Sequence, residues 1–152
     1  MIALIASALM ITACGESEDD IAFEGGGFIF NYRIAEAFYG VNVKPMRRLK
    51  AGTILEVSFE NPAGGEPIIV RQTVGQPKLR YTFRTPALRG IQKDKKYTVV
   101  ARLLSQTGED ELARITRTLK SDVDQSVLPA RPLVVGPGYH RPDDDPNTQP
   151  AQ

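Results

Sequence analysis

From Phe28 to Leu119 apolar and polar side chains alternate with a period of two, and turn residues interrupt the alternation at short intervals. Phe28, Phe30 and Tyr32 alternate with Ile29, Asn31 and Arg33, and Leu55, Val57 and Phe59 with Glu56, Ser58 and Glu60. Successive side chains of a strand point to opposite faces, so each run predicts a strand with one face on a core. Asn61-Pro62-Ala63-Gly64-Gly65 and Gly75-Gln76-Pro77 break the pattern on either side of Ile68 to Val74. Leu79, Tyr81 and Phe83 then oppose Arg80, Thr82 and Arg84, and this run is expected to form a hairpin with the one before it. Tyr97, Val99, Ala101 and Leu103 make the next inward face; Thr107-Gly108-Glu109-Asp110 is a hairpin loop leading into Leu112 to Leu119, and Leu133-Val134-Val135 is a last short strand. Seven such strands without an amphipathic helix between them predict an all-β chain. The expected form is one small antiparallel two-sheet β-sandwich over residues 27–135, immunoglobulin-like in appearance. With no Trp and a single Cys, the antibody-type core pin is absent and the strand order stays open.

Ala35 to Gly52 lacks a clear ladder and reads as a loop or a turn of helix over one end of the sandwich. It places Lys44, Arg47, Arg48 and Lys50 near Phe38, Tyr39 and Met46, a composition that suits lipid headgroups or an acidic protein and equally a loop flanking a core. Arg71, Arg80 and Arg84 fall on outward positions of the expected hairpin and would make a basic stripe, though interspersed arginines also keep strand edges soluble. Arg47, Arg48, Phe38, Arg71, Arg80 and Arg84 are therefore the candidate partner-binding residues. From Ile21 to Val135 there are 18 Lys and Arg against 11 Asp and Glu, a net +7, while both ends are acidic. A basic body of this kind can meet an anionic surface or an acidic partner.

Met1 to Ala13 are apolar or small and end directly before Cys14, the only cysteine. Thirteen helical residues reach about 20 Å, short of the roughly 30 Å hydrocarbon core, so the run reads as a secretory signal and not as a membrane span. Ile11-Thr12-Ala13-Cys14 resembles a bacterial lipobox, which implies cleavage before Cys14, a diacylglycerol on its thiol and an acyl group on the new amino terminus. No other cofactor is expected. No Lys or Arg precedes the apolar run, so either a basic segment lies upstream of Met1 or the terminal amine supplies that charge. Gly15 after the cysteine points to the outer membrane, periplasmic face, with the inner membrane as the other destination. Residues 14–26 read as an acidic tether closed by a Gly25-Gly26-Gly27 hinge, and residues 136–152, dense in Pro, Gly, Asp and Asn, as a disordered tail.

The stretch from Leu49 to Leu112 resembles the YbaY-type lipoproteins, related to the YscW-type pilotins of type III secretion. The resemblance is carried by Leu49-Lys50-Ala51-Gly52-Thr53-Ile54-Leu55-Glu56-Val57-Ser58-Phe59, Tyr81-Thr82-Phe83 and Ile91. It continues through Tyr97-Thr98-Val99-Val100-Ala101-Arg102-Leu103, Gly108 and Leu112. Gly27 to Tyr32 and Leu133-Val134-Val135 look like the family's opening and closing strands. Departures are the longer Ala35-to-Gly52 connection, Lys50 where proline is common and Asn61 where aspartate is common. The resemblance implies a lipid-anchored periplasmic β-sandwich that binds another envelope protein, a secretin or pilus component, as an assembly factor. It carries no catalytic residues onto this chain.

The residues offer little chemistry. His140, the only histidine, sits in the Pro-rich tail; one Cys and one His make no zinc set of the usual ligands. Ser58, Ser105, Ser121 and Ser126 lack an elbow motif and a histidine base, and Asp143-Asp144-Asp145 lacks calcium-loop spacing. Glu56 and Glu60 could pose as paired carboxylates, but read better as a solvated strand face. Gly25-Gly26-Gly27 precedes a strand, unlike a phosphate-binding loop. No catalytic or metal site is expected. Nucleic acid is a poor partner for a secreted chain; envelope polysaccharide or lipid is the alternative ligand to protein.

Overall fold

The computed structural model describes residues 20–136, 138 and 141. The expected signal, Cys14, most of the expected tether and most of the expected disordered tail lie outside the described residues, as do His140 and Asp143-Asp144-Asp145. Among the described residues seven strands are formed: β1 (Ile21–Asn31), β2 (Glu36–Pro45), β3 (Ile54–Phe59), β4 (Ile68–Thr73), β5 (Tyr81–Arg84), β6 (Lys96–Leu104) and β7 (Glu111–Lys120). A single 3-10 turn, Gln125–Val127, follows them and is capped by Asp124. One sheet has the order β1-β2-β5 and the other β4-β3-β6-β7, and every pairing is antiparallel. The chain is therefore an all-β, two-sheet sandwich.

The alternation predicted the inward faces of β3 and β6, but Leu79, expected inward with Tyr81 and Phe83, lies before β5 begins and is 93% exposed. Leu55, Val57 and Phe59 of β3 and Tyr97, Val99 and Ala101 of β6 are completely buried, facing Ala37, Tyr39, Val41 and Val43 of β2. An aromatic cluster joins the sheets: Phe28 stacks on Tyr39 at 4.6 Å between ring centroids, and Tyr39 meets Phe59 edge-on at 5.1 Å. Such pairs add about 0.5–1.5 kcal/mol beyond the area they bury. The Tyr39 hydroxyl donates to the Glu60 carbonyl, so the buried phenol is satisfied; burial, then the nearby Glu60 charge, holds its pKa well above the usual tyrosine range. The sheets meet along β1 and β7, and on the other side Gln72 Nε2 donates to the Thr82 carbonyl, linking β4 to β5.

Four further expectations are corrected. Gly25-Gly26-Gly27 is no hinge but the middle of β1, which starts at Ile21 and carries a bulge between Phe23 and Gly25. A Cβ on Gly26 would lie 2.8 Å from the Gly40 carbonyl oxygen, so the inward position next to the bulge has room only for hydrogen. The Ala35-to-Gly52 stretch contains β2, a ten-residue strand at the centre of its sheet. Leu133-Val134-Val135 forms no strand; the Leu133 and Val134 amides both donate to the Arg33 carbonyl, at 2.8 and 3.1 Å. Finally, β4 and β5 are not a hairpin. They belong to different sheets, with Val74 to Arg80 crossing between them.

Candidate functional site

Because β4 and β5 lie in separate sheets, Arg71, Arg80 and Arg84 form no common stripe. Arg71 is on the outer face of the four-stranded sheet, directly opposite Glu56 of β3, which in turn faces Arg102 of β6. Glu56 is 1% exposed and receives the Arg71 Nε at 2.6 Å and the Arg102 Nε at 2.9 Å, with Arg102 Nη2 closing on the same oxygen. Burial pushes this carboxyl up, but hydrogen bonds and charge from Arg102 and Arg71 outweigh it and hold it below the usual carboxylate range. Arg114, opposite Arg102 on β7, makes a bidentate pair with Glu111 at 2.7 Å, which holds Glu111 low as well. Glu56 is thus no solvated carboxylate. Alternation put it outward, and the two arginines across from it cover it. Glu60 is used too: its carboxylate accepts the Thr98 amide at 2.8 Å.

Arg84 and Phe38 do come together. They lie on the outer face of the three-stranded sheet, where Arg84 is directly opposite Gly40 and Phe38 is two residues from Gly40 along β2. With no side chain at Gly40, the guanidinium reaches diagonally over the Phe38 ring, 4.3 Å from its centroid. Gly27 faces Gly40 on β1, and Ile29, 52% exposed, faces Phe38. The two glycines floor an open trough of about 310 Å³, with Ile29, Asn42, Thr82 and Arg84 also in its lining. Thr82 Oγ1 donates to Asn42 Oδ1 at 2.8 Å and keeps one end of the trough polar. A Cβ on Gly27 would meet nothing within 4 Å, so the smooth floor there is not required by packing. At Gly40 a Cβ would stand 2.4 Å from the Phe83 carbonyl oxygen, so that glycine is.

Arg47, Arg48 and Arg80 meet at a second place, the end of the sandwich where β1 starts, β2 finishes and β5 starts. They line a cleft of about 690 Å³ together with Lys44, Met46, Lys78 and Leu79. Arg47 pairs with Asp20 and Arg80 with Glu24, each at 2.5 Å, and the Met46 amide donates to the Asp20 carbonyl at 2.9 Å. Lys44 and Arg48 make no ion pair with any described residue. Lys78 and Leu79 were missed as site residues because the crossing from β4 to β5 brings them to β2, and no local spacing announces that.

Among the described residues no group of three or more His, Cys, Asp or Glu could hold a metal ion, and no helix is long and apolar enough to cross a membrane. Ser58 opens onto a shallow depression shared with Glu60 and Thr98, where the Glu60 carboxylate accepts the Thr98 amide. Compared with known proteins, the chain matches no family model and no curated sequence at significant similarity.

Proposed function

We propose that the protein is a lipid-anchored, non-catalytic binding module of the bacterial cell envelope, attached through Cys14 and facing the periplasm, that holds an envelope protein on the trough of its three-stranded sheet. The observation that carries this is the Arg84–Phe38 pair above a glycine floor, with Ile29 exposed beside it. Arginine and aromatic side chains beside a concave apolar surface are what binding hot spots are built from. Five of the carboxylates, Glu56, Glu60, Glu111, Asp20 and Glu24, are each held by an arginine or a backbone amide. A secretin or pilus component is the proposed partner class, because the YbaY-type lipoproteins that Leu49 to Leu112 resembles have relatives among the secretin-binding pilotins.

Gly27→Val tests the reading without disturbing the fold. A Cβ there meets nothing within 4 Å, and Gly27 lines the trough, so the melting temperature should hold while the partner is lost from detergent-solubilised envelopes. Phe38→Ala with Arg84→Ala should do the same. Undiminished recovery of the partner with both variants would move the binding surface elsewhere.

A further inference from the structure

The cleft at the other surface has a composition that the trough lacks: its cations surround apolar side chains turned fully to solvent. Leu79 is 93% exposed and Met46 59%, with Lys78 and Arg80 on one side and Lys44, Arg47 and Arg48 on the other. Five cations stand against two acids, Asp20 and Glu24, and each acid is already engaged by one arginine. Apolar tips ringed by Lys and Arg suit the boundary between phosphate headgroups and acyl chains, where each part of the surface finds its own solvent. We infer that this end of the sandwich docks on an anionic phospholipid surface, with Lys44, Arg48 and Lys78 on headgroup phosphates and Leu79 and Met46 at the acyl boundary.

The inference rests on the lipid-anchor reading and gives the anchored domain an orientation. Asp20, held by Arg47 at the cleft, is six residues after Cys14. Six residues span at most about 20 Å when extended, so an anchored Cys14 keeps the cleft that close to the bilayer. The same tether carries Glu16, Glu18 and Asp19, which offset the cleft's charge at a distance. Docking therefore depends on contacts of the exposed cations and of Leu79, and not on long-range attraction.

The sequence contains no tryptophan, so Leu79→Trp in the full acylated chain, reconstituted in phosphatidylglycerol–phosphatidylethanolamine vesicles, is a single reporter of depth. The expected result is blue-shifted emission and quenching by lipids brominated on their acyl chains, while Ile69→Trp on the outer face of the other sheet shows neither. One basic residue at an anionic surface changes the docked-to-undocked ratio roughly fivefold, so Arg48→Gln with Lys78→Gln should lower it about 25-fold. Unchanged Leu79→Trp emission on reconstitution overturns the inference, as does equal quenching in zwitterionic phosphatidylcholine vesicles. A shift that appears only when an acidic envelope protein is added also overturns it. Mass spectrometry of Cys14 reads the anchor separately: an unacylated cysteine refutes the anchor, and the same fluorescence measurement on that chain still decides the fate of the cleft.

Discussion

Glu56 shows how far a single side chain departs from its place in a pattern. Its outward position on β3 is correct, yet it is as buried as the core because Arg71 and Arg102 stand directly across from it. Glu56→Gln should cost about 1.5–3 kcal/mol at pH 7, the range for hydrogen bonds made to a charged group, as measured by urea unfolding. The folded-state pKa of Glu56 is lowered, so its contribution to stability is complete above the unfolded carboxylate value of about 4.3 and is lost as pH falls through the lower folded value. The stability gap between wild type and Glu56→Gln in unfolding curves should therefore be constant from pH 7 down to about pH 5 and narrow as pH falls below the unfolded carboxylate value of about 4.3. Glu111 and Asp124 are lowered too; Asp124 cancels in the difference between the curves, whereas Glu111 shares Arg102 with Glu56, so the difference reads that arginine-linked pair. Tyr39→Phe should cost about 1 kcal/mol by leaving the Glu60 carbonyl without its donor.

At the level of elements, glycine has two distinct uses in the three-stranded sheet, and they predict opposite results. Gly40→Ala drives a methyl group into the Phe83 carbonyl and should weaken the β2–β5 pairing, at about 1–3 kcal/mol. Faster amide exchange along β5 would locate the loss. Gly27→Val should change stability by no more than about 0.5 kcal/mol, as open surface positions do. The strands whose alternation is uninterrupted, β3, β6 and β7, were legible in the sequence because a period of two needs only local information. The run Gly25-Gly26-Gly27 read as a hinge because the reason for glycine there, the approach of Gly40 and Val41, comes from another strand. In β2, Ala37, Tyr39, Val41 and Val43 do alternate, but Gly40, Asn42 and Lys44 between them looked like a loop. The hairpin expected of β4 and β5 failed for a related reason: adjacency in sequence does not specify which sheet a strand joins. Arg84 was legible as an outward cation, whereas its reach over Phe38 depends on β2–β5 register and could not be read.

For the whole molecule, the trough is on the outer face of one sheet and the cleft is at the end nearest Asp20, so the surfaces proposed for a partner and for a membrane are separate. An anchored domain docked by its cleft would hold the trough clear of the bilayer at a fixed orientation, as a factor handling other envelope proteins requires. Cys14→Ala should abolish palmitate labelling and release the protein from the membrane fraction; equal labelling of both forms would remove the anchor from the account. The most direct measurement is photocrosslinking in intact cells, from a photoreactive residue at position 29, which lines the trough and leaves the Arg84–Phe38 pair in place. A discrete adduct with one envelope protein is expected from position 29, lost when Gly27→Val is added, with none from position 116 on the outer face of the other sheet. The absence of any adduct at position 29, or the same adducts from position 116, would contradict a binding module that works through its three-stranded sheet.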